Sequence, residues 1–268
     1  MSDNTPWFEG IRFPMVCFSP EILREVRDKF LVKDEDTITV TYPKSGTNWL
    51  IEIVCLILSK GDPKWVQSVP IWDRSPWIET QHGNELMKSQ KDPRIYTSHL
   101  PLHLFPKSFF SSKAKVIYCI RNPRDVLVSG YYFTSKMKIA EKPETLQQYM
   151  KWFLQGNGEL PCKVGVSELK DTRSIVEKIC QFLGKKLKPE EIDLVLKYSS
   201  FKFMKENEMS NYSLLPNDLT TEGFTFLRKG VVGDWKHHFT VAQAEEFDKI
   251  YQEKMAGYPP KLFPWEEC

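Results

Sequence analysis

The chain has 268 residues, and its 37 Lys and Arg against 35 Asp and Glu leave a formal net charge of +2 at pH 7. This balance predicts no broad attraction to nucleic acid or to an anionic membrane, so any anion must be bound locally. The N-terminus MSDNTPWFEG has no signal-peptide pattern and no run approaches the roughly 20 apolar residues that cross a bilayer, which predicts a cytoplasmic protein.

Predicted strands and helices alternate along the first half of the chain. Residues 37–42, TITVTY, predict a buried strand that breaks at Pro43, and the apolar spacing of WLIEIVCLILSK predicts a helix directly after it. RIYTSHL predicts a strand ending at His99, and AKVIYCIRNPRDVLVSGYY predicts a strand at 116–120 with a helix after Pro123. Further helices are predicted at 175–183, 189–198 and 241–255. This alternation predicts an α/β fold with a central parallel sheet flanked by helices.

The whole chain, residues 1–268, is expected to form a single domain, because no repeat, low-complexity tract or Gly/Ser linker interrupts it. Its six cysteines are scattered without a CxxC pair, and several lie within apolar runs such as IVCLIL. They are interpreted as reduced, mostly buried thiols, and neither a disulfide framework nor a zinc site is predicted.

The loop TYPKSGTNW leaves the first predicted strand and enters the first predicted helix. Free backbone N–H groups at such a helix start bind phosphate-like anions. Gly46 permits close backbone approach, Lys44 adds a positive charge, and Ser45, Thr47 and Asn48 add hydrogen-bond donors. A polar turn capped by Thr47 or Asn48 would carry the same letters. Because the lysine precedes the glycine, the loop fits the GxxxxGK[ST] pattern of kinases and GTPases poorly.

YPKSGTNW resembles the 5′-phosphosulfate loop of the cytosolic sulfotransferases, and further motifs follow in that family's order. RNPRDVLVSGYYF resembles its 3′-phosphate motif, FLRKGVVGDW its RKGxxGDWK motif, and KHHFTVAQAE its KxxxTVxxxE dimer motif. WFEGIRFP, VPIWDRSPWIET and MKENEMSNYSLL resemble the alcohol and hydroxysteroid branch, so the resemblance covers nearly the whole chain.

The resemblance implies a P-loop-like nucleotide-binding fold and a sulfuryl-transfer reaction that needs no metal. The donor would be 3′-phosphoadenosine-5′-phosphosulfate (PAPS), which leaves 3′-phosphoadenosine 5′-phosphate (PAP) as product. The acceptor would be the hydroxyl of a small hydrophobic molecule such as a steroid, a bile acid or another alcohol. Such a reaction depends largely on alignment and on charge stabilisation in a loose, in-line transition state.

The resemblance also implies residue roles. His99 would be the general base, and an imidazole pKa near ~6.5 suits that task, although a lone histidine at a strand end is by itself more often structural. Lys44 would be the second catalytic residue, stabilising charge on the leaving group. The implied nucleotide-binding residues are Lys44, Ser45, Gly46, Thr47, Asn48, Trp49, Arg121, Ser129, Ser199, Ser200, Phe201, Met204, Arg228, Lys229 and Gly230. The implied acceptor pocket comprises Trp72, Trp77, Tyr131, Phe133 and Tyr212, each of which also suits ordinary core packing.

A homodimer contact is implied through Lys236, Thr240, Val241 and Glu245, although an amphipathic surface helix could carry the same letters. The adjacent His237 and His238 do not predict a metal site, because neighbouring residues on a helix do not share a face.

The segment 156–169, GNGELPCKVGVSEL, departs from the family pattern. Related chains carry roughly twenty residues more here, including an apolar strand of about five or six residues and a Tyr-Glu pair whose tyrosine contacts the adenine. Val166 or Ser167 stands nearest to that tyrosine, and CKVGV offers at best a short, glycine-interrupted strand. Three interpretations stay open: a working sulfotransferase with a locally rebuilt sheet, a splice-like variant with weak cofactor binding, or a nucleotide-binding or dimerising protein without turnover.

Overall fold

The computed structural model describes residues 7–13, 18–138, 140–155, 165–166, 171–259, 262–263 and 265. The strands are β1 (Trp7–Phe8), β2 (Ile11–Arg12), β3 (Thr37–Thr41), β4 (Ile95–Ser98), β5 (Lys115–Cys119) and β6 (Gly165–Val166). The helices are α1 (Pro20–Lys29), α2 (Thr47–Leu58), α3 (Lys64–Ser68), α4 (Ile71–Arg74), α5 (Gln81–Ser89), α6 (Pro123–Lys136), α7 (Leu146–Gln155), α8 (Thr172–Leu183), α9 (Pro189–Tyr198), α10 (Phe201–Glu206), α11 (Glu208–Asn211) and α12 (Val241–Met255). Short 3₁₀ turns cover Leu102–Leu104, Lys107–Ser111 and Asp234–His237.

The central sheet is parallel and has the strand order β4-β3-β5-β6. All five residues of β3 are buried, as expected for an interior strand of a parallel sheet covered on both faces. Strand β3 pairs with β5 from Thr37 opposite Lys115 to Thr41 opposite Cys119. The α/β fold with a central parallel sheet, predicted from the alternation of strands and helices, is therefore confirmed.

Strand β6 lies within CKVGV, where the sequence offers at best a short strand. It consists of two residues, Gly165 and Val166, which pair with Tyr118 and Cys119 of β5. The rest of the segment 156–169, including Cys162 and Ser167, lies outside the described residues. Within the described part of the chain, β5 is thus paired with β3 along its full length but with β6 at its carboxyl end alone.

Two buried clusters lie on opposite faces of the sheet. One joins the apolar residues of α2, α8 and α9, and the other joins those of α1 and the segment that follows β4. In β4, Ile95 belongs to the first cluster and the next residue, Tyr96, to the second, as side-chain alternation along a strand requires. The helices therefore cover both faces, as predicted.

Helix α2 is buried around nearly its whole circumference, and it carries one buried ion pair. Glu52 accepts a hydrogen bond of 2.9 Å from Arg74 of α4, and both side chains are fully buried. Ser210 of α11 donates to the same carboxylate oxygen at 3.0 Å. Burial raises the pKa of Glu52, and the charge of Arg74 opposes this. The pair and Ser210 together join α2, α4 and α11.

Cys55, Cys119 and Cys180 are buried free thiols, as predicted for them, while Cys17, Cys162 and Cys268 lie outside the described residues. In the part of the chain that the structure describes, no helix has the length and apolar character needed to cross a membrane. The same residues contain no group of three or more His, Cys, Asp or Glu side chains placed to hold a metal ion.

Candidate active site

A cavity of about 2030 Å³ opens at the carboxyl edge of the sheet. Its wall includes the ends of β3 and β5 and the residues that follow β4, which is where ligands bind in open α/β sheets. Pockets for single small ligands usually measure about 300–1,000 Å³. This cavity is therefore large enough for two ligands side by side.

Nearly all catalytic, nucleotide and acceptor residues implied by the resemblance lie on the wall of this one cavity. They include every residue predicted for the nucleotide: Lys44, Ser45, Gly46, Thr47, Asn48, Trp49, Arg121, Ser129, Ser199, Ser200, Phe201, Met204, Arg228, Lys229 and Gly230. His99 and the predicted acceptor residues Trp72, Trp77, Phe133 and Tyr212 line it as well. The fold thus brings together residues that are up to 186 positions apart in the sequence, from Lys44 to Gly230.

Tyr131 is the exception among these predicted residues, because it does not line this cavity. The wall residues of α6 are Val126, Ser129, Gly130, Phe133 and Thr134, which recur with the spacing of one helical face. Tyr131 is off that face. Its ring centroid lies 5.3 Å from that of Tyr132 and 6.1 Å from that of Tyr149 on α7. Tyr131 therefore packs against α7 and is not among the residues that line the cavity.

The loop between β3 and α2 is shaped to receive an anion. Lys44 and Gly46 both have left-handed backbones, with φ of 69° and 106°, and Gly46 caps the N-terminus of α2. The amide nitrogen Nδ2 of the buried Asn48 has no hydrogen-bond partner among the described residues. A buried donor without a partner costs about 1–3 kcal/mol, and an anionic oxygen at the start of α2 would remove that cost.

The ammonium group of Lys44 lies between two aromatic rings. Its Nζ atom is 4.2 Å from the ring centroid of Phe133 and 3.8 Å from that of Phe226. Burial, and then the positive charges of Arg121 and Arg228, lower the pKa of Lys44 to about 7. The sequence did not reveal Phe226, because a phenylalanine in the run FTFL is equally typical of a core residue.

The ring of His99 is held at both nitrogens. Nε2 lies 2.9 Å from Nε1 of Trp77, and because an indole nitrogen can donate and cannot accept, Nε2 is the acceptor. Nδ1 then carries the proton and donates to the carbonyl oxygen of Thr41 at 2.9 Å. Burial lowers the pKa of His99 to about 4, the hydrogen bond to Thr41 opposes this, and the charge of Lys44 adds to it. The imidazole is therefore neutral near pH 7.

Glu79 is a second buried titratable group beside His99 that the sequence did not reveal. Its Oε1 atom accepts the backbone N–H of His99 at 2.7 Å, and the side chain is fully buried at the cavity wall. Burial raises the pKa of Glu79 to about 7, and the hydrogen bond from His99 opposes this. The carboxyl group holds the backbone of the histidine in place at the end of β4.

Two aspartates order the loop that carries the cations Arg228 and Lys229. Asp234 accepts hydrogen bonds from Arg228 at 2.6 Å, from Lys229 at 2.7 Å and from His238 at 3.0 Å. Although burial works against it, these bonds hold the pKa of Asp234 well below its usual range. Asp125 of α6 accepts the backbone N–H groups of Gly233 and Trp235 at 2.7 and 3.0 Å.

These contacts fix the loop 228–235 to the start of α6. Gly230 has a φ of 67°, and a Cβ atom there would lie 2.2 Å from the ring of Phe201. Neither aspartate was predicted as functional, although both lie inside the motif letters RNPRD and GDW. Their positions in those letters were the signal that could have identified them.

An anion-receiving loop, a neutral, half-buried imidazole and a set of cations meet in one cavity at the edge of a parallel sheet. This combination defines an α/β enzyme that acts on an anionic ligand. Residues 34–161 and 169–259 match the family model described as "Sulfotransferase domain". The chain belongs to the sulfotransferase family, in its hydroxysteroid branch.

Named hydroxysteroid sulfotransferases align with this chain along its whole length. It is 89% identical to a "3-beta-hydroxysteroid sulfotransferase" and 80% identical to a "3-alpha-hydroxysteroid sulfotransferase", both of Cavia porcellus, and in each case 100% of both chains is covered. Among solved structures, a mouse sulfotransferase, SULT7A1, complexed with PAP, is similar with a TM-score of 0.75 and 27% identity. That similarity covers 95% of each chain.

The comparisons also support the shortened middle segment. Both Cavia porcellus alignments extend over 287 positions, 19 more than the 268 residues of this chain. The family match is interrupted over residues 162–168, within the segment 156–169 at which the family pattern breaks. Gln155 on one side of this segment and Asp171, Thr172 and Arg173 on the other line the cavity. The shortening thus falls at the cavity wall.

Proposed function

We propose that this protein transfers a sulfuryl group from PAPS to the hydroxyl of a hydroxysteroid or a similar hydrophobic alcohol. The observation that carries the proposal is a single cavity that joins the neutral imidazole of His99 to the cations Lys44, Arg121 and Arg228. The two Cavia porcellus relatives are named for hydroxysteroids, and the SULT7A1 structure contains PAP. PAPS, when bound, supplies the sulfuryl group and a bisphosphate leaving group.

The residues of the cavity fit a nucleotide with two separate phosphate positions. The first is the start of α2, where the partnerless Nδ2 of Asn48 and the backbone around Gly46 suit a 5′-phosphate. The second is formed by Arg121 with the loop that carries Arg228 and Lys229, which suits a 3′-phosphate. Trp49 and Phe201 lie on the cavity wall as well, and their rings suit the adenine, as the resemblance implies.

His99 is the proposed general base. A base that is neutral at pH 7 can accept the proton of the acceptor hydroxyl at Nε2 as the oxygen attacks sulfur. The hydrogen bond from Nδ1 to the carbonyl of Thr41 fixes the ring and its tautomer, and it stabilises the imidazolium that forms. Negative charge bound nearby favours that imidazolium as well.

Lys44 is the proposed partner of the leaving group. It is the basic residue of the loop that enters α2, and its Nζ lies within the cavity between Phe133 and Phe226. A positive charge in a water-poor cavity stabilises the oxygen that departs from sulfur more strongly than it would in water.

The acceptor is proposed to bind against the aromatic part of the wall. Trp72 packs 5.2 Å from Tyr212, which stacks 4.2 Å from Phe226, and Trp77 lies directly beside His99. These rings form an apolar surface that ends at the base, which suits a flat hydrophobic molecule with its hydroxyl directed at His99.

Replacing Arg228 by Ala is expected to weaken PAP binding by roughly 10- to 100-fold, since a hydrogen bond to a charged group contributes about 1.5–3 kcal/mol. Isothermal titration of the purified chain and the variant with PAP measures this. Lys64→Ala is the matched control, because Lys64 is a solvent-exposed cation outside the cavity wall. Equal PAP affinity in the chain and in Arg228→Ala would contradict the proposed 3′-phosphate position.

PAP binding at pH 8 is expected to take up close to one proton. Lys44, with its pKa lowered to about 7, is mostly neutral at that pH, and a bound anion raises its pKa and restores its charge. At pH 6 the uptake should be close to zero, because Lys44 is already charged. Titrations in two buffers of different ionisation enthalpy give the number of protons. Undiminished uptake in Lys44→Met would contradict this assignment.

We also propose a homodimer through Lys236, Thr240, Val241 and Glu245 and a cytoplasmic location, both on the family resemblance. Val241, the first residue of α12, is 76% exposed, which suits an apolar contact with a second copy. Thr240 caps α12 by accepting the backbone N–H of Gln243 at 3.2 Å, so its hydroxyl is engaged within the chain.

Val241→Asp is expected to convert the dimer to a monomer, because a charge buried at a small contact is costly. Light scattering during size-exclusion chromatography measures the mass. Lys249→Asp, which places the same new carboxylate on an exposed position of α12, should stay dimeric. If the two variants show the same mass, the proposed contact is wrong.

A second candidate function is favoured by the shortened segment. Nineteen alignment positions have no residue of this chain, β6 is two residues long, and the ends of the segment line the cavity. A chain with a weakened adenine site would bind nucleotide or a second copy without turnover. Measuring PAP affinity and sulfuryl transfer on the same preparation separates the two, since the second candidate predicts no transfer.

A further inference from the structure

The lone pair of the proposed base is already engaged in the structure. Nε1 of Trp77 donates to Nε2 of His99 at 2.9 Å, and the two ring centroids are 5.9 Å apart. A neutral imidazole nitrogen has one lone pair, and Nδ1 is committed to Thr41. The indole N–H of Trp77 and the hydroxyl of an acceptor therefore cannot bond to Nε2 together.

The backbone of Trp77 is fixed, so displacement of the indole has to come from the side chain. Trp77 forms a parallel bridge with Thr97 of β4. On either side of it, the N–H of Ile78 donates to the carbonyl of Thr97 at 3.1 Å, and the N–H of Thr97 donates to the carbonyl of Pro76 at 2.9 Å. These bonds hold the backbone of Trp77 beside the strand that ends next to His99. The side chain retains its rotation about two bonds, and the cavity gives it space.

We propose that Trp77 is a positioning residue that covers the base against water until an acceptor hydroxyl displaces the indole from Nε2. The inference rests on the proposed function, because it assigns the proton acceptor of that reaction. The indole N–H donates a hydrogen bond that holds the neutral imidazole, but it is far too weak an acid to transfer its proton to the imidazole during catalysis. An acceptor hydroxyl replaces one hydrogen bond to Nε2 by another, whereas an ether or a ketone at the same place cannot.

The protective role has a chemical reason. Water at Nε2 would be activated in the same way as an alcohol, and with PAPS in place it would attack sulfur. The bond between sulfur and the PAP oxygen would break, the water proton would pass to His99, and sulfate and PAP would be released. An apolar ring over the base reduces this wasteful hydrolysis, because the ring occupies the lone pair that water needs.

The test compares Trp77→Phe with Trp72→Phe. Both variants keep an aromatic ring on the cavity wall, but Trp72 packs on Tyr212 and the hydrogen bond to Nε2 comes from Trp77, so the second variant leaves that bond intact. The first readout is the titration of His99 by NMR of histidine-labelled protein, with His99→Gln to assign the signal. The groups that face His99 are Lys44, Glu79 and Thr41, and both variants retain them.

Loss of the indole N–H removes a hydrogen bond to the neutral imidazole, so the pKa of His99 should rise in Trp77→Phe. A bond of about 0.5–1.5 kcal/mol corresponds to a rise of about 0.4–1.1 pH units. In Trp72→Phe the pKa should stay where it is in the unaltered chain. An unchanged pKa in Trp77→Phe overturns the proposal, and this readout needs no turnover, so it stands apart from the fate of the proposed function.

The second readout is the release of sulfate from PAPS without any acceptor. Trp77→Phe is expected to release sulfate several-fold faster than the unaltered chain, and the additional His99→Ala change should abolish that increase. If the pKa of His99 rises but sulfate release does not, Trp77 binds the base without protecting it, and the protective role is overturned. The pKa of His99 can rise in Trp77→Phe while neither the unaltered chain nor this variant transfers sulfuryl to a steroid. In that case the proposed function fails and the contact at Nε2 stands.

Discussion

His99→Ala is expected to lower the rate of sulfuryl transfer by roughly 10²- to 10⁴-fold, the usual contribution of a general base. The loss should appear in kcat, because the acceptor oxygen attacks without a group to take its proton. PAP binding should change little, since the imidazole bonds to Trp77 and Thr41 and the phosphate positions lie elsewhere on the wall. Steady-state rates with PAPS and a hydroxysteroid, together with a PAP titration, measure both.

The matched control is His82→Ala. His82 also lines the cavity, but it bonds to Asp73 at 2.8 Å and is largely exposed. That variant should lose little activity. A His99→Ala enzyme that turns over at the original rate would exclude His99 as the base. Failure of the variant to bind PAP would instead indicate that His99 holds the shape of the cavity, which the PAP titration reveals directly.

Restoring the 19 positions that this chain lacks relative to its Cavia porcellus relatives is expected to raise its stability more than any other change proposed here. The restored chain would carry, between residues 155 and 171, the additional segment of the 3-beta-hydroxysteroid sulfotransferase of Cavia porcellus. A full strand beside β5 would pair backbone groups and fill space, and such gains amount to about several kcal/mol together. The free energy of unfolding, from urea denaturation, should rise by that order, and PAP affinity should increase at least roughly tenfold, or about 1.4 kcal/mol.

A Gly/Ser insertion of the same length at the same place is the matched control. It adds chain without side chains that pair or pack, so neither stability nor PAP affinity should rise. If the two insertions behave alike, the length of the segment matters and its sequence does not. If the restored segment leaves PAP affinity unchanged, the shortening does not affect the adenine side of the cavity.

The strands and long helices could be predicted from the sequence because their apolar spacing and their start residues agree with the fold. Helices α9 and α12 have the predicted bounds, since each begins at a strong start signal, Pro189 or the cap Thr240. Strand β3 ends one residue earlier than predicted, at Thr41, where the loop turns. Helix α8 begins at Thr172, before the predicted residue 175, because the side chain of Asp171 caps it.

Sequence motifs predicted most of the candidate site residues. The residues that were not predicted act through contacts with residues distant in the sequence. Nothing local to Glu79 indicates that its carboxylate holds the backbone of a residue on another strand. Phe226 acts through its distance to Lys44, which the sequence does not contain. Tyr131 lies off the face of α6 that lines the cavity, which its residue type does not reveal. The Trp77–His99 bond likewise exists between two residues that were predicted for separate roles.

Formation of sulfated product by the purified chain measures the proposed sulfuryl transfer most directly. Mass spectrometry would follow a 3-hydroxysteroid incubated with PAPS, and the rate would be compared with that of the His99→Ala variant. Steroid sulfate and PAP are expected in equal amounts, and both should be nearly abolished in the variant. Tight PAP binding without steroid sulfate from any hydroxysteroid tested would contradict it and would leave a nucleotide-binding protein.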